Sequence, residues 1–417
     1  MKTLLLRVLQ SSLVAVVSSV LSFAMPAHAA VGTADVVPAA TLLLPYFEVD
    51  LANENGAQTS IRISNTSASA GIVNVTLWTD LGVPTYSFPV YFTGYDTEEI
   101  DLRLVFKGIL PVTATAGQDP TDRISPKGTY SQDINFGSCN GILPFAGRLA
   151  AATVTALRNA HTGQSSTLLS GNCGGVARGD NIARGFVTVD DLVACPSGAF
   201  PSDANFFQNF GGTRNIFTGT VTYLNRSQNF ASSEPMVHIE ASMANPLTST
   251  GAGKNTFYGR FVAFGANDNR EPTPSSSQIR FLNGGTLNLS TDMVVWRDPG
   301  QAIPPFACGG SLPAPFPLSQ TQVVAFDEQE NPTLVTGNPF PYVAQRVAVS
   351  SLTNKTAGFL RLILTRSGDD AAITGRQQSV VSAQFKQNGT YAGSVSAAQL
   401  VNGSESAGSN YTLPLGN

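Results

Sequence analysis

The sequence predicts a mostly β protein: two related antiparallel β-sandwich units, broadly Ig-like, with a loop-rich insert carrying one helix. Three observations support this. Short runs rich in Ile, Val, Leu, Phe and Thr alternate with Asn-Gly, Asp-x-Gly and Pro turn signals. A segment near the N-terminus recurs 218 residues later (position 61 against 279). Charged residues make up only 12 % while 42 % are hydrophobic, so Gly, Pro, Ser, Thr and Asn replace charge without starving the core.

Residues 1–29 read as an export leader. Lys2 and Arg7 form a basic start, an apolar run follows from Leu13 to Ala24, and Ala27-His28-Ala29 supplies small residues for cleavage. The run is interrupted by serines and is short for a bilayer-spanning helix of about 20 residues. No later segment is apolar enough to span. Without Lys2 and Arg7 the chain keeps 22 basic against 28 acidic residues and has no basic cluster, so nucleic acid and anionic lipid are poor partners. With only 2 Trp and 10 Tyr the chain lacks the aromatic girdles of an outer-membrane barrel. The expected location is extracellular or periplasmic.

The first unit is assigned to residues 30–110. Its expected strands are Leu42–Val49, Thr59–Asn65, Ile72–Thr79, Thr85–Phe92 and Glu98–Phe106. Ile61 and Ile63, then Val73, Val75 and Leu77, alternate as a half-buried strand requires. The second unit is assigned to residues 236–417. Ile61-Arg62-Ile63-Ser-Asn65 aligns with Ile279-Arg280-Phe281-Leu-Asn283, and Trp78-Thr-Asp80-Leu-Gly82 with Trp296-Arg-Asp298-Pro-Gly300, without a gap. Phe88 then meets Phe306. Both tryptophans of the chain therefore sit in W-x-D-x-G, and a buried Trp in the third strand is the expected core anchor. Further strands are expected around Val343–Val349, Phe359–Thr365, Val380–Phe385 and Tyr391–Val395, the last two joined at Asn388-Gly389.

Residues 111–235 form the insert. Pro111–Pro144 is loop-like, and the helix is expected at about 147–161, with Leu149, Val154 and Leu157 on one side and Gly163 to end it. Four cysteines in an exported chain favour two disulfides. Three pairings are open; Cys173–Cys195 has the shortest span, and Cys139–Cys308 would join two similar Gly- and Pro-rich segments. No pair has C-x-x-C spacing, which argues against zinc.

Catalytic signatures are scarce. No G-x-S-x-G, H-E-x-x-H, P-loop or EF-hand pattern occurs, and only His161 and His238 follow the leader. His238 and Glu240 stand two apart, so on a strand they share a face and form a candidate ligand-binding pair; an ordinary polar face is the simpler reading. Asn53, Asn55 and Asp80 in the first copy, with Asp268 and Asp298 in the second, are oxygen donors in turns that a sandwich brings to one end. Calcium is the candidate cofactor, against ordinary Asx-turn chemistry. Arg178-Gly179-Asp180 is a chance tripeptide, and Asp327–Pro332 reads as a solvated hairpin turn.

The stretches Asn65-Thr-Ser67, Val75–Pro84, Thr93-Gly-Tyr-Asp96, Ala183–Asp190 and Asp268-Asn-Arg-Glu-Pro272 resemble those of a family of exported bacterial proteins with duplicated W-x-D-x-G β units. The resemblance implies secretion and a shared fold, and transfers no catalytic or ligand residue.

The expected function is therefore non-enzymatic: adhesion, binding of an extracellular ligand or surface, or extracellular structure, with self-assembly through strand edges as one route. The competing expectation is a secreted hydrolase of polysaccharide or peptide, using Glu240 with Asp268 or Glu271 as its carboxylates.

Overall fold

The computed structural model describes residues 36–111, 148–196, 198–241, 256–259, 261, 268–274, 276–365, 378–387, 391–396 and 398–399. The leader, Cys139, Asn267 and the Asn388-Gly389 turn lie outside them.

The chain is mostly β, with four antiparallel sheets arranged as two sandwiches. In the first, β1 (Thr41–Asp50), β3 (Gly71–Thr79), β4 (Pro84–Phe92), β6 (Ile182–Leu192) and β9 (Val237–Ile239) form one sheet in the order β4-β3-β6-β1-β9. It faces a sheet of β2 (Ala57–Asn65), β5 (Thr97–Asp101), β7 (Phe217–Asn225) and β8 (Phe230–Pro235), ordered β5-β2-β7-β8. The second sandwich pairs two more sheets. One holds β10 (Ser276–Leu282), β12 (Gln322–Asp327), β13 (Pro332–Leu334), β15 (Ala357–Ile363) and β18 (Ala398–Gln399), in the order β13-β12-β15-β10-β18. The other holds β11 (Ser290–Arg297), β14 (Ala344–Ala348), β16 (Ser379–Gln387) and β17 (Tyr391–Ser396), in the order β14-β11-β16-β17.

This redraws the domain boundaries. The described part of residues 111–235 is not a separate insert: β6, β7 and β8 come from it and complete the first sandwich, and β9 closes its edge. The physical reason is pairing. β6 lies between β1 and β3, with Thr41 opposite Asp190 and Val75 opposite Val189, so it supplies backbone partners to both.

Three cores result. Val73, Val75 and Leu77 of β3 pack with Val187 and Val189 of β6 inside the first sandwich. Met293 and Val295 of β11 pack with Leu360 and Leu362 inside the second. A third core lies between the sandwiches, where the outer faces of β3 and β6 meet those of β11 and β16. Every residue of β3 is buried for this reason. Trp78 and Trp296 both anchor this shared layer rather than a sandwich interior. Trp78 stacks on Phe186 at 5.5 Å, Phe186 meets Trp296 edge-on at 6.0 Å, and Phe257 stacks on Trp296 at 5.4 Å.

The β2–β3 and β10–β11 units each end in a W-x-D-x-G turn. Gly82 (φ 86°) and Gly300 (φ 76°) adopt left-handed backbone there, which explains the glycine in both motifs. Beyond the turn the copies diverge. The first chain folds straight back as β4, with Trp78 opposite Pro84. The second makes a long excursion before β14 fills that place, with Trp296 opposite Ala344. Phe88 and Phe306 are thus not equivalent: one lies on β4, the other bridges to Cys173.

Local differences have local causes. The fifth expected strand stops at Asp101, whose carboxylate accepts the Arg103 N–H at 2.8 Å and starts a short helix, Leu102–Phe106. The expected helix occupies Ala151–His161 and stops at Thr162, before Gly163 (φ 73°). Val349 leaves its expected strand and opens a 3-10 turn. Asp327 accepts the N–H groups of Gln329 and Asn331, closing the solvated turn between β12 and β13 as expected.

Candidate functional site

A polar groove runs along the seam between the sandwiches. After Thr41, β1 is apolar on both faces until Tyr46 and Glu48, which emerge two residues apart toward the second sandwich. Glu48 Oε2 accepts from Arg346 Nη1 of β14 at 2.9 Å, and the Tyr46 hydroxyl donates to Oε1 at 2.7 Å. Arg184 Nε approaches the same carboxylate at 3.7 Å. The Arg346 guanidinium lies 5.8 Å from the ring centres of both Tyr46 and Tyr223. The Tyr223 hydroxyl donates to the Tyr46 carbonyl at 2.9 Å. Burial holds the Tyr46 and Tyr223 phenols well above their usual range, so both remain O–H donors.

Each cation lining the groove has its own carboxylate. Arg178 donates to Asp80 at 2.5 Å, Arg184 grips Asp180 at 2.9 and 2.6 Å, and Lys386 donates to Asp292 at 2.6 Å. Arg178 also lies 5.3 Å from the Tyr342 ring centre. The groove has two lobes of about 380 and 440 Å³. Between them lies a waist of about 20 Å³, lined by Glu48, Arg346, Asp292 and Lys386. Each lobe falls within the roughly 300–1,000 Å³ typical of ligand sites. Arg346 Nε is buried at the waist with no protein partner.

No protein-family model matches the chain, and no curated protein matches it. Among solved structures, one described as "Biofilm associated protein - BSP domain" is similar over 88 % of this chain and 60 % of its own, at 10 % identity and a TM-score of 0.19. The chain therefore spans less than two thirds of that structure's length. A TM-score at that level carries no functional weight.

The residues singled out from sequence lie elsewhere. His238 is buried on β9, its Nε2 accepting the Gly219 N–H at 3.0 Å; burial lowers it to about 4, so it is neutral. Glu240 is half-buried one residue beyond β9. Its carbonyl accepts the Glu271 N–H at 2.8 Å, so Glu240 and Glu271 are brought side by side along the backbone.

Asp268 is buried and turned inward, accepting from the Tyr258 N–H at 2.9 Å and facing Arg270 at 3.7 Å. It belongs to a sealed network in the shared layer. There Arg270, itself fully buried, sits 3.5 Å from Asp190 and donates to Thr41 and to the Gly212 carbonyl. Thr41 and Tyr258 hydroxyls donate to Asp190, which burial raises to about 6 against the pull of Arg270.

The expected calcium ligands are occupied by protein. Asp80 is buried against Arg178 and the Val176 N–H, Asp298 accepts from Gly300 N and Gln378 Nε2, and Asn53 Oδ1 accepts the Asn55 N–H. A guanidinium or backbone donor stands where a cation would have to bind. Among the described residues no group of three or more His, Cys, Asp or Glu is placed to hold a metal.

The cysteine pairing also differs from the favoured one. Cys173 bonds to Cys308, and Cys195 is oxidised as well. The short Cys173–Cys195 span does not close because a β-bridge between Cys173 and Phe306 brings the second sandwich's loop to Cys173.

The signal for the groove residues was present but unread. Glu48, Asp292, Arg346 and Lys386 are charges on strands that carry buried apolar residues, and such a charge marks where a buried face meets water or a partner.

Proposed function

We propose that this is an exported, non-enzymatic protein that binds an extracellular ligand or surface through the inter-sandwich groove, in adhesion or extracellular structure. The observation that carries this reading is the groove itself, a charge-paired surface built jointly by two sandwiches that a common core locks together. A rigid scaffold presenting a preformed site suits binding. Export is supported by the leader pattern and by the disulfide, which persists in oxidising compartments. Among the described residues no helix is long and apolar enough to cross a membrane, which says nothing of a β-barrel.

The hydrolase alternative has less support. Asp268 faces Arg270 in the shared layer rather than a cleft, and both described histidines are engaged in structural bonds. Self-assembly through strand edges is also less favoured. β13 starts with a proline and is short, β5 carries Glu98 and Glu99, and β8 abuts β17, where Ser394 donates to the Ser233 carbonyl.

The test is retention of the purified chain from Ala30 on chitin, cellulose, peptidoglycan and collagen, with parallel assays for released reducing ends and amines. Retention without release supports the reading. Release of either product moves the protein to the hydrolases, and retention on none removes the binding role.

A further inference from the structure

The groove's chemistry narrows its ligand, if the binding role above holds. Four cations line it, yet each is already matched: Arg178 by Asp80, Arg184 by Asp180, Arg346 by Glu48 and Lys386 by Asp292. An anionic ligand would have to displace a carboxylate from a largely buried pair, leaving that carboxylate without its partner. A cationic ligand meets the converse obstacle. An uncharged ligand keeps every pair intact.

Paired side chains offer acceptors and donors at fixed, alternating positions. A sugar hydroxyl is both donor and acceptor, so it satisfies both members of such a pair. Uncharged amides extend the pattern, with Gln345 in one lobe and Gln228 and Gln387 in the other. The first lobe also presents the part-exposed Tyr342 ring, against which the apolar face of a pyranose packs, whereas Phe230 at the second is buried in the first sandwich's core. The lobes share their lining with the waist, through Glu48, Asp292 and Arg346 on one side and Gln228, Phe230 and Lys386 on the other. The waist between the lobes has room for about one water, so each lobe is a separate recess along the seam.

We infer that the inter-sandwich groove binds a neutral glycan, with a sugar unit against Tyr342 and its hydroxyls on the Glu48–Arg346 pair of the same lobe. The test is calorimetric titration of the intact chain from Ala30 with cellohexaose, N-acetylchitohexaose and mannohexaose. Hexagalacturonate and a Gly-Ser peptide serve as charged and peptide comparators. At least one neutral hexasaccharide should bind, with affinity changing less than roughly threefold between low and high salt because no net charge is exchanged. Glu48→Gln should weaken it at least tenfold. Ala348→Trp, at an exposed position lining the Tyr342 lobe, should do the same by filling that lobe while leaving the melting temperature unchanged.

Failure of all three neutral sugars overturns the inference, as does binding that survives both substitutions. Selective binding of hexagalacturonate or the peptide overturns the glycan assignment and leaves the non-enzymatic binding role standing. Cleavage of a bound hexasaccharide supports the groove and overturns that role.

Discussion

Glu48 of β1 and Arg346 of β14 meet at 2.9 Å across the seam between the two sandwiches. Their strands lie almost 300 positions apart in the chain (48 against 346). The pair sits where the shared apolar layer gives way to the groove, so it helps hold the halves together and lines the proposed ligand path.

That double role makes the pair measurable. Both side chains are mostly buried, at 16 % and 22 % exposure, and removing one strands the other's charge. Glu48→Gln or Arg346→Met alone should cost on the order of 2–4 kcal/mol in urea unfolding. The double variant should recover about 1–3 kcal/mol of the summed loss. Strict additivity would mean that the two do not interact energetically.

Arg270 is the deeper lock. It is fully buried among Asp190, Asp268, Thr41 and the Gly212 carbonyl. Arg270→Met should destabilise by about 3–5 kcal/mol, because two buried carboxylates lose their cation. Adding Asp190→Asn should restore part of that by removing one stranded charge. Chemical denaturation of the three proteins decides it.

Much of the fold was readable in the chain, and the reason is periodicity. Alternating runs such as Val73, Val75 and Leu77 identified strands to within a residue or two. The repeated W-x-D-x-G identified a turn that needs left-handed backbone at Gly82 and Gly300. Pairing was harder, since nothing local in Phe186-Val-Thr-Val189 says that β6 inserts between β1 and β3. The groove was missed for a similar reason. Glu48 and Arg346 each look like a lone charge, and only the packing of one sandwich on the other makes them a pair. His238 and Glu240 drew attention because their chemistry is visible in sequence, whereas the burial that neutralises His238 is not.

The carboxylates first expected to hold calcium should be indifferent to it. Asp80 already faces Arg178 at 2.5 Å, and Asp298 caps its own turn through Gly300. The melting temperature should be the same in excess Ca²⁺ and in chelator. A rise of several degrees with Ca²⁺ would require a site that these partners do not leave open.

The Cys173–Cys308 bond joins the two sandwiches over a separation of 135 residues. On a chain-entropy model, closing a loop of that size contributes up to about 5 kcal/mol. Replacing both cysteines with serine should lower stability by a few kcal/mol on that scale. Non-reducing peptide mapping should recover a Cys173–Cys308 peptide and no Cys173–Cys195 peptide; by count, Cys195 is then left to Cys139.

The last prediction concerns acidity at the seam. Glu234 of β8 is buried, accepts from the Ser382 hydroxyl of β16 at 3.1 Å, and has no partner on Oε2. Burial raises it from 4.5 to about 7. Between those values the folded chain keeps a proton that the unfolded chain has lost, so this group's stabilisation is complete below pH 4.5 and is lost as pH rises through about 7. Asp190, raised to about 6, has the same sign in a lower window. His161 and His238, lowered from 6.5 to about 4, have the opposite sign and weaken the fold as pH falls through that range. The opposing groups offset one another in mild acid; above pH 6.5 Glu234 acts with Glu98, which burial also raises to about 7, and substitution isolates the Glu234 share. Glu234→Gln keeps an acceptor for Ser382 and removes the ionisation. It should therefore match the parent at pH 5 and exceed it at pH 8 by about 1–3 kcal/mol. Thermal unfolding of both proteins at the two pH values tests this, and an equal difference at both would show that Glu234 does not titrate differently in the folded and unfolded chains.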